Sequence, residues 1–213
     1  MIIDCISDLH GYLPNLEGGD LLIVAGDLTA LDTQADHDRF NHWADRQKYR
    51  KIVFIAGNHD GLIEKQGWAW LVDKYKPLKY LEDTSTTFEG LKIWGSPWTP
   101  TFLNWHFMKD RGKDIAEKWA MIPDDVDILI THGPPWGILD EFPDCLNNHR
   151  IFHAGCMDLF NEYASKRIKP KLHVFGHIHE GYGQMELNGT IFVNASIMNE
   201  HYKPVNKPIR VIL

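Results

Sequence analysis

The chain has 213 residues, 44% of them hydrophobic and 24% charged, with a formal net charge of −7. That balance describes a single globular domain over residues 1–213, and without a lysine- or arginine-rich run it argues against an extended nucleic-acid track or a membrane surface. No apolar run approaches the roughly 20 residues of a bilayer span, and Cys5, Cys145 and Cys156 have neither even number nor CxxC spacing, so a reducing, cytoplasmic location without a secretory leader is expected.

In chain order, residues 2–7 form an Ile-rich run followed by Asp8 and His10, and residues 21–27 form a second that ends on Asp27. A helix is predicted over 33–47, with Thr33 as N-cap and Phe40, Trp43, Ala44 and Gln47 at helical spacing. The run at 51–60 carries Asn58 and His59 at its end. Residues 86–95 read as a hairpin turning at Glu89 and Gly90, whose second limb opens the run 91–98. After a proline-rich loop, a helix is predicted over 113–122, a strand over 126–135 with His132 near its end, and a helix over 154–167. The last long run, 171–179, finishes on His177 and His179, and 183–194 is a second hairpin with Asn188 and Gly189 at its turn. These runs are too short for buried helices and rich in Val and Ile, so they are strands. Strands alternating with helices give an α/β class, and the hairpins make its sheets mixed.

The polar residues share one address. Open α/β sheets bind ligands outside the carboxyl ends of their strands, and Asp8, His10, Asp27, Asn58, His59, His132, His177 and His179 all stand there. Singly each is weak, because a strand-end Asp is usually a turn former. In DxH and HxH, alternate positions of an extended chain point the same way, and the full series in order is improbable by chance. Asp, Asn and His donors without Cys suit manganese, iron, zinc, cobalt or nickel. Setting His59 aside as a proton donor leaves seven ligands, more than one ion takes while keeping an open position. Two divalent metal ions are therefore expected, roughly 3.5–4 Å apart, with Asp27 as the bridge.

The series DLHG, GD, GNHD, THG and GHIH resembles the calcineurin-like metallophosphoesterase superfamily, and GSPWTPTF, THGPPWGILD, FGHIHEGYG and the stretch from Asn194 to Leu213 look like its metallophosphoesterase-domain (MPPED-type) branch. The resemblance implies a four-layer α/β/β/α sandwich of two mixed sheets flanked by helices. Asp8, His10 and His179 would hold one metal and Asn58, His132 and His177 the other, with Asp27 between them. Manganese is the first choice of metal. A metal-bridging hydroxide would be the nucleophile, and His59 the general acid. The implied function is a phosphodiesterase on small esters such as 2′,3′-cyclic nucleotides. A phosphomonoesterase or nucleotide hydrolase, an exonuclease and a non-enzymatic scaffold are the alternatives. The chain departs from many relatives at Ala30, where they carry the acidic residue that orients the acid; Asp60 is a possible substitute. No arginine follows in GDLTALDTQ, which disfavours a phosphoprotein substrate.

On the substrate side, Trp98, Phe102, Trp105 and Trp136 lie on loops beside the motifs and could stack on a base or aryl group, and Arg111, His149 and His153 could meet a phosphate oxygen. Gly155 and Cys156 open a predicted helix whose first amides could face an anion.

Overall fold

Most core strands of this chain are apolar on both faces, so each must be covered twice. In the strand Gly19–Ala25, Leu21, Ile23 and Ala25 point one way and Leu22 and Val24 the other, and all five are buried. The computed structural model, which describes residues 1–67, 78–144 and 150–213, meets that demand with two packed sheets and helices on their outer faces.

The first sheet holds β1 (Ile2–Ile6), β2 (Gly19–Ala25), β3 (Tyr49–Ile55) and β4 (Leu78–Tyr80) in parallel, closed at one edge by the antiparallel C-terminal strand β15 (Ile209–Ile212). The second runs in the order β13 (Gly183–Leu187), β14 (Thr190–Asn194), β12 (Leu172–Phe175), β9 (Ile128–Thr131), β6 (Leu91–Ser96) and β5 (Thr84–Phe88). Its four central strands are parallel, and β5 and β13 return as antiparallel hairpin partners. Ile3, Ile23, Val53 and Ile55 meet Ile128, Ile130, Val174 and Val193 between the sheets. Helix α1 (Gln34–Ala44) covers the outside of the first sheet, placing Phe40 and Ala44 on Leu22, Val24 and Phe54, and α2 (Gly61–Gln66) adds Ile63. Helices α3 (Lys113–Trp119) and α4 (Met157–Ala164) cover the second, through Ile115, Trp119 and Leu159 on Trp94 and Leu129. Two short pairings complete the described strands, β7 (Thr99–Pro100) with β8 (Met108–Lys109) and β10 (Glu141–Asp144) with β11 (Arg150–His153).

The predicted elements are present, several of them shorter, while the hairpin over 183–194 keeps its bounds. Thr33 is the N-cap of α1 in a capping box with Asp36, and the helix ends at Ala44, after which Arg46 and Gln47 bond three residues back. The helix expected from residue 154 starts at Met157, because Cys156 still pairs with Pro135 in an isolated bridge and donates its amide to Pro134. In the run 51–60 the strand stops at Ile55, leaving residues 56–60 as the turn that carries Asn58 and His59. Among the described residues, no helix is long and apolar enough to cross a membrane.

The two sheets are sewn together at their carboxyl ends. Ser7, just past β1, donates its amide to the Ala195 carbonyl beyond β14 and accepts from the Ile197 amide, while the Ala195 amide reaches Phe175 at the end of β12. The exits of β1, β2 and β3 therefore face those of β9 and β12.

Candidate metal centre

At that rim the backbone turns abruptly. Asp8, His10, Asp27 and His177 all hold positive φ, between 41° and 69°. Non-glycine residues adopt this conformation at a cost, and such strain collects where geometry serves a site. The Asp8 amide bonds the Gly26 carbonyl and the His10 amide the Asp27 carbonyl, which fixes the first two turns against each other. The HxH pair is accordingly not the extended dipeptide expected from its spacing: His177 is left-handed and His179 opens a 3-10 turn, His179–Gly181.

Glycines let these turns close. A Cβ on Gly176 would lie 2.0 Å from Asp8 Oδ2, one on Gly57 2.2 Å from Asp27 Oδ1, and one on Gly26 2.6 Å from His132 Nδ1. The glycine beside each ligand is thus a condition of the ligands' approach.

Asp27 is central. Its Oδ2 lies 3.6 Å from His10 Nε2 and 3.4 Å from His132 Nε2, and its Oδ1 accepts the His59 amide at 2.8 Å. On one side Asp8 Oδ1 sits 3.4 Å from His179 Nε2, and the His10 and His179 rings are 5.5 Å apart. On the other, His132 Nε2 is 3.0 Å from Asn58 Oδ1, and the His132 and His177 rings are 5.0 Å apart. Asp8 with His10 and His179, and Asp8 with Asp27 and His132, each bring donor atoms within 4.8 Å of one another, and so do His10, Asp27 and His59. The seven expected ligands and the expected acid converge, with His177 and His179 at opposite sides.

Supporting groups set which atoms face inward. His132 Nδ1 bonds the Ala25 carbonyl at 2.8 Å and His179 Nδ1 the Asn199 carbonyl at 2.9 Å. A carbonyl only accepts, so Nδ1 carries the proton and Nε2 points to the centre. Asp8 also accepts the Ser196 hydroxyl at 2.7 Å and the His177 amide. Burial alone would raise both carboxyls, but the hydrogen bond and charge of His179, with His132 and His10 nearby, hold Asp8 far below the usual carboxylate range, and His132 and His10 do the same for Asp27. Burial opposes protonation of His132 and His179, yet Asp27 and Asp8 respectively raise each to about 9. His10 Nε2 is buried with no hydrogen-bond partner. An orphaned imidazole nitrogen beside two buried carboxylates is what a cation would satisfy, and the donor set, oxygen and imidazole without thiolate, fits a borderline divalent metal.

The centre forms the floor of a cavity of about 590 Å³ whose walls include Phe102, Trp105, Arg111, Phe142 and Tyr202. Of the substrate candidates, Arg111 stands in that wall, with its guanidinium bonded to the Gly155 and Ala154 carbonyls. Trp98 does not: its indole donates to Asp83 and packs on Phe107 under Lys109 and Lys118. Trp136 and His153 are also outside it, packed on each other with their rings tilted at 53°, and His153 Nδ1 is 2.7 Å from Asp140. The amides of Gly155 and Cys156 are occupied by Asp140 and Pro134, so they do not face an anion. His149 and Cys145 lie outside the described residues. Asp60 does not orient His59: its buried carboxyl accepts the Leu28 and Gly57 amides and the Thr29 hydroxyl, tying the Asp27 turn to the Asn58 turn. Ser196, Asn199 and Tyr202 are contributors that sequence reasoning missed as individual residues. The one signal was the C-terminal stretch that held them as a block.

The calcineurin-like phosphoesterase family profile matches residues 1–181. Metallophosphoesterase domain-containing protein 1 of Homo sapiens is 40% identical over 233 residues, covering 98% of this chain and 70% of that protein, and its Mus musculus counterpart gives the same values. A crystal structure at 15% sequence identity superposes with a TM-score of 0.58 over 91% of this chain and 89% of its own, which is a likeness of fold.

Proposed function

The chain belongs to the calcineurin-like phosphoesterase family, and from that premise we propose that it is a binuclear metal-dependent phosphodiesterase of small esters, with 2′,3′-cyclic nucleotides as the first substrates to try. Membership supports a metal-dependent phosphoesterase; the observation that carries the finer reading is Asp27 Oδ2, set between imidazoles of two separate groups at 3.6 and 3.4 Å. Asp8, His10 and His179 would hold one ion, Asn58, His132 and His177 the other, and Asp27 both, with manganese the first metal to test. Bound there, divalent ions would polarise a phosphoryl oxygen and make water acidic enough to attack phosphorus at neutral pH.

The remaining work falls to the chain. His59 is half-buried at the cavity floor, its amide pinned to Asp27, and would give its proton to the departing oxygen. Phe102 and Tyr202 offer flat apolar wall to a base or aryl group, and the cavity's volume suits a ligand of that size, not a polymer. A reducing, cytoplasmic setting suits the buried thiols of Cys5 and Cys156.

Manganese-loaded protein should hydrolyse bis(p-nitrophenyl) phosphate and a 2′,3′-cyclic nucleotide, and Asp27→Asn should lose both by about a hundredfold or more. Faster turnover of monoesters than of diesters would transfer the reading to a phosphomonoesterase. Two bound metals with no hydrolysis of any phosphoester would make the fold a non-catalytic scaffold.

A further inference from the structure

The motif resemblance would put an acidic partner for His59 at residue 30, which is alanine here, and Asp60 is turned to backbone amides. Among the described residues the His59 ring shows no hydrogen bond. It is held by rings. The Trp105 indole lies 4.2 Å from it, centroid to centroid, at 38°, and the His10 imidazole meets it edge-on at 4.7 Å and 86°. Trp105 is itself fastened to the turn that carries His59. The next residue, His106, donates its amide toward the Asn58 carbonyl at 3.4 Å, and its Nδ1 lies 2.8 Å from Glu64 of α2, whose other oxygen accepts the Phe107 amide. The His106 ring fills the space above Gly61, where a Cβ would stand 2.0 Å from it. Phe107 is wholly buried, and with Leu103 it takes positive φ, so the loop bends on either side of Trp105 and is packed down after it.

We propose that Trp105 is the positioning residue for His59: its indole face sets the plane of the imidazole beside the departing oxygen, in place of a carboxylate. The two residues that follow this exposed tryptophan are anchored to the His59 turn and to α2, an anchoring that a surface packing role would not need. The proposal rests on the reading of His59 as the proton donor.

Four variants test it beside the wild type: Trp105→Ala, Trp105→Phe, His59→Ala, and Trp105→Ala combined with His59→Ala, all manganese-loaded. The substrates are a 2′,3′-cyclic nucleotide, whose alkoxide leaving group needs a proton, and bis(p-nitrophenyl) phosphate, whose leaving group does not. Trp105→Ala should lower kcat on the cyclic nucleotide by about 10- to 100-fold, part of what a general acid supplies. It should leave the aryl diester within about threefold, add nothing in the His59→Ala background, and be largely rescued by Trp105→Phe. Equal losses on both substrates, a loss that adds to that of His59→Ala, or no loss would overturn it. In histidine-labelled protein the His59 ring protons should shift upfield in the tryptophan's ring current and lose that shift in Trp105→Ala. An unchanged shift refutes the stack whatever the activity, and a normal shift change with His59→Ala fully active on the cyclic nucleotide refutes the acid reading instead.

Discussion

Gly176 has an ordinary backbone and no room for a methyl group. The Asp8 carboxylate, whose two oxygens accept the His177 amide, occupies the space where a Cβ would stand, at 2.0 Å, with Ser7 Oγ at 2.2 Å. Relief by side-chain motion would take Asp8 away from His179, so Gly176→Ala should lower metal stoichiometry, read by elemental analysis after gel filtration, from two toward one. Overpacking of this kind also costs about 1–3 kcal/mol of stability. Gly133 is the control, since its Cβ would press only on the Thr99 methyl at 3.2 Å and stand in ordinary contact with His177 Cδ2 at 3.8 Å, and Gly133→Ala should retain both metals. Gly176 itself was legible in the motif GHIH, but not the carboxylate that fills the space beside it. The left-handed φ at Asp8, His10, Asp27 and His177 was not, because the modest preference of Asp and His for that region does not single out these positions; the tertiary frame imposes it. The same holds for aromatics: Trp98 and Trp105 look alike in sequence, and only the loop's bends decide that one packs under two lysines and the other faces the acid.

Between elements, one buried chain of hydrogen bonds ties α4 to β12 and to the turn after β9. Thr131 gives its proton to the Gly133 carbonyl, so it must accept from His173 Nε2, and Nδ1 then accepts the Tyr163 hydroxyl. Each link is 2.7 or 2.8 Å, and the order of donors is forced. Burial pushes His173 down to about 3 from its ordinary 6.5, so the folded protein keeps it neutral. The unfolded chain takes up the proton first as acidity rises. The contribution of His173 to stability is therefore complete above pH 6.5 and lost progressively from there toward pH 3, a matter of a few kcal/mol. Urea midpoints measured across that range should fall more steeply for wild type than for His173→Gln, the difference isolating this group from the other histidines. Tyr163→Phe, which strands Nδ1, should cost about 1–3 kcal/mol at neutral pH with both metals retained. The elements themselves were readable where both faces of a strand are apolar, as in β2, β3, β9 and β12. Three-residue β4 and the edge strand β15 were not, because their strand character comes from the neighbour they pair with.

For the molecule as a whole, the centre is a clasp. Asp8, His10, Asp27 and Asn58 leave the first sheet and His132, His177 and His179 the second, so ions bound among them would reinforce the hydrogen bonds that already join the two layers at this rim. Metal bound to the folded state alone stabilises it by mass action, about 2.7 kcal/mol at a hundred times Kd, which for a chain of this size raises Tm by roughly 5–10 °C. Asp27→Asn should abolish the rise. Protons and metal also compete for the same atoms. His132 and His179 are raised to about 9 by Asp27 and Asp8, so near pH 7 both Nε2 positions carry protons that coordination must expel. Affinity for manganese should therefore increase from pH 6 to pH 9 and level off above it. Calorimetry in buffers of different ionisation heat should show about two protons released at pH 7 and nearly none at pH 10. Binding whose proton count stays at zero from pH 6 upward would mean that the two imidazoles are neutral before the metal arrives or do not hold it, and either result overturns the proton–metal competition.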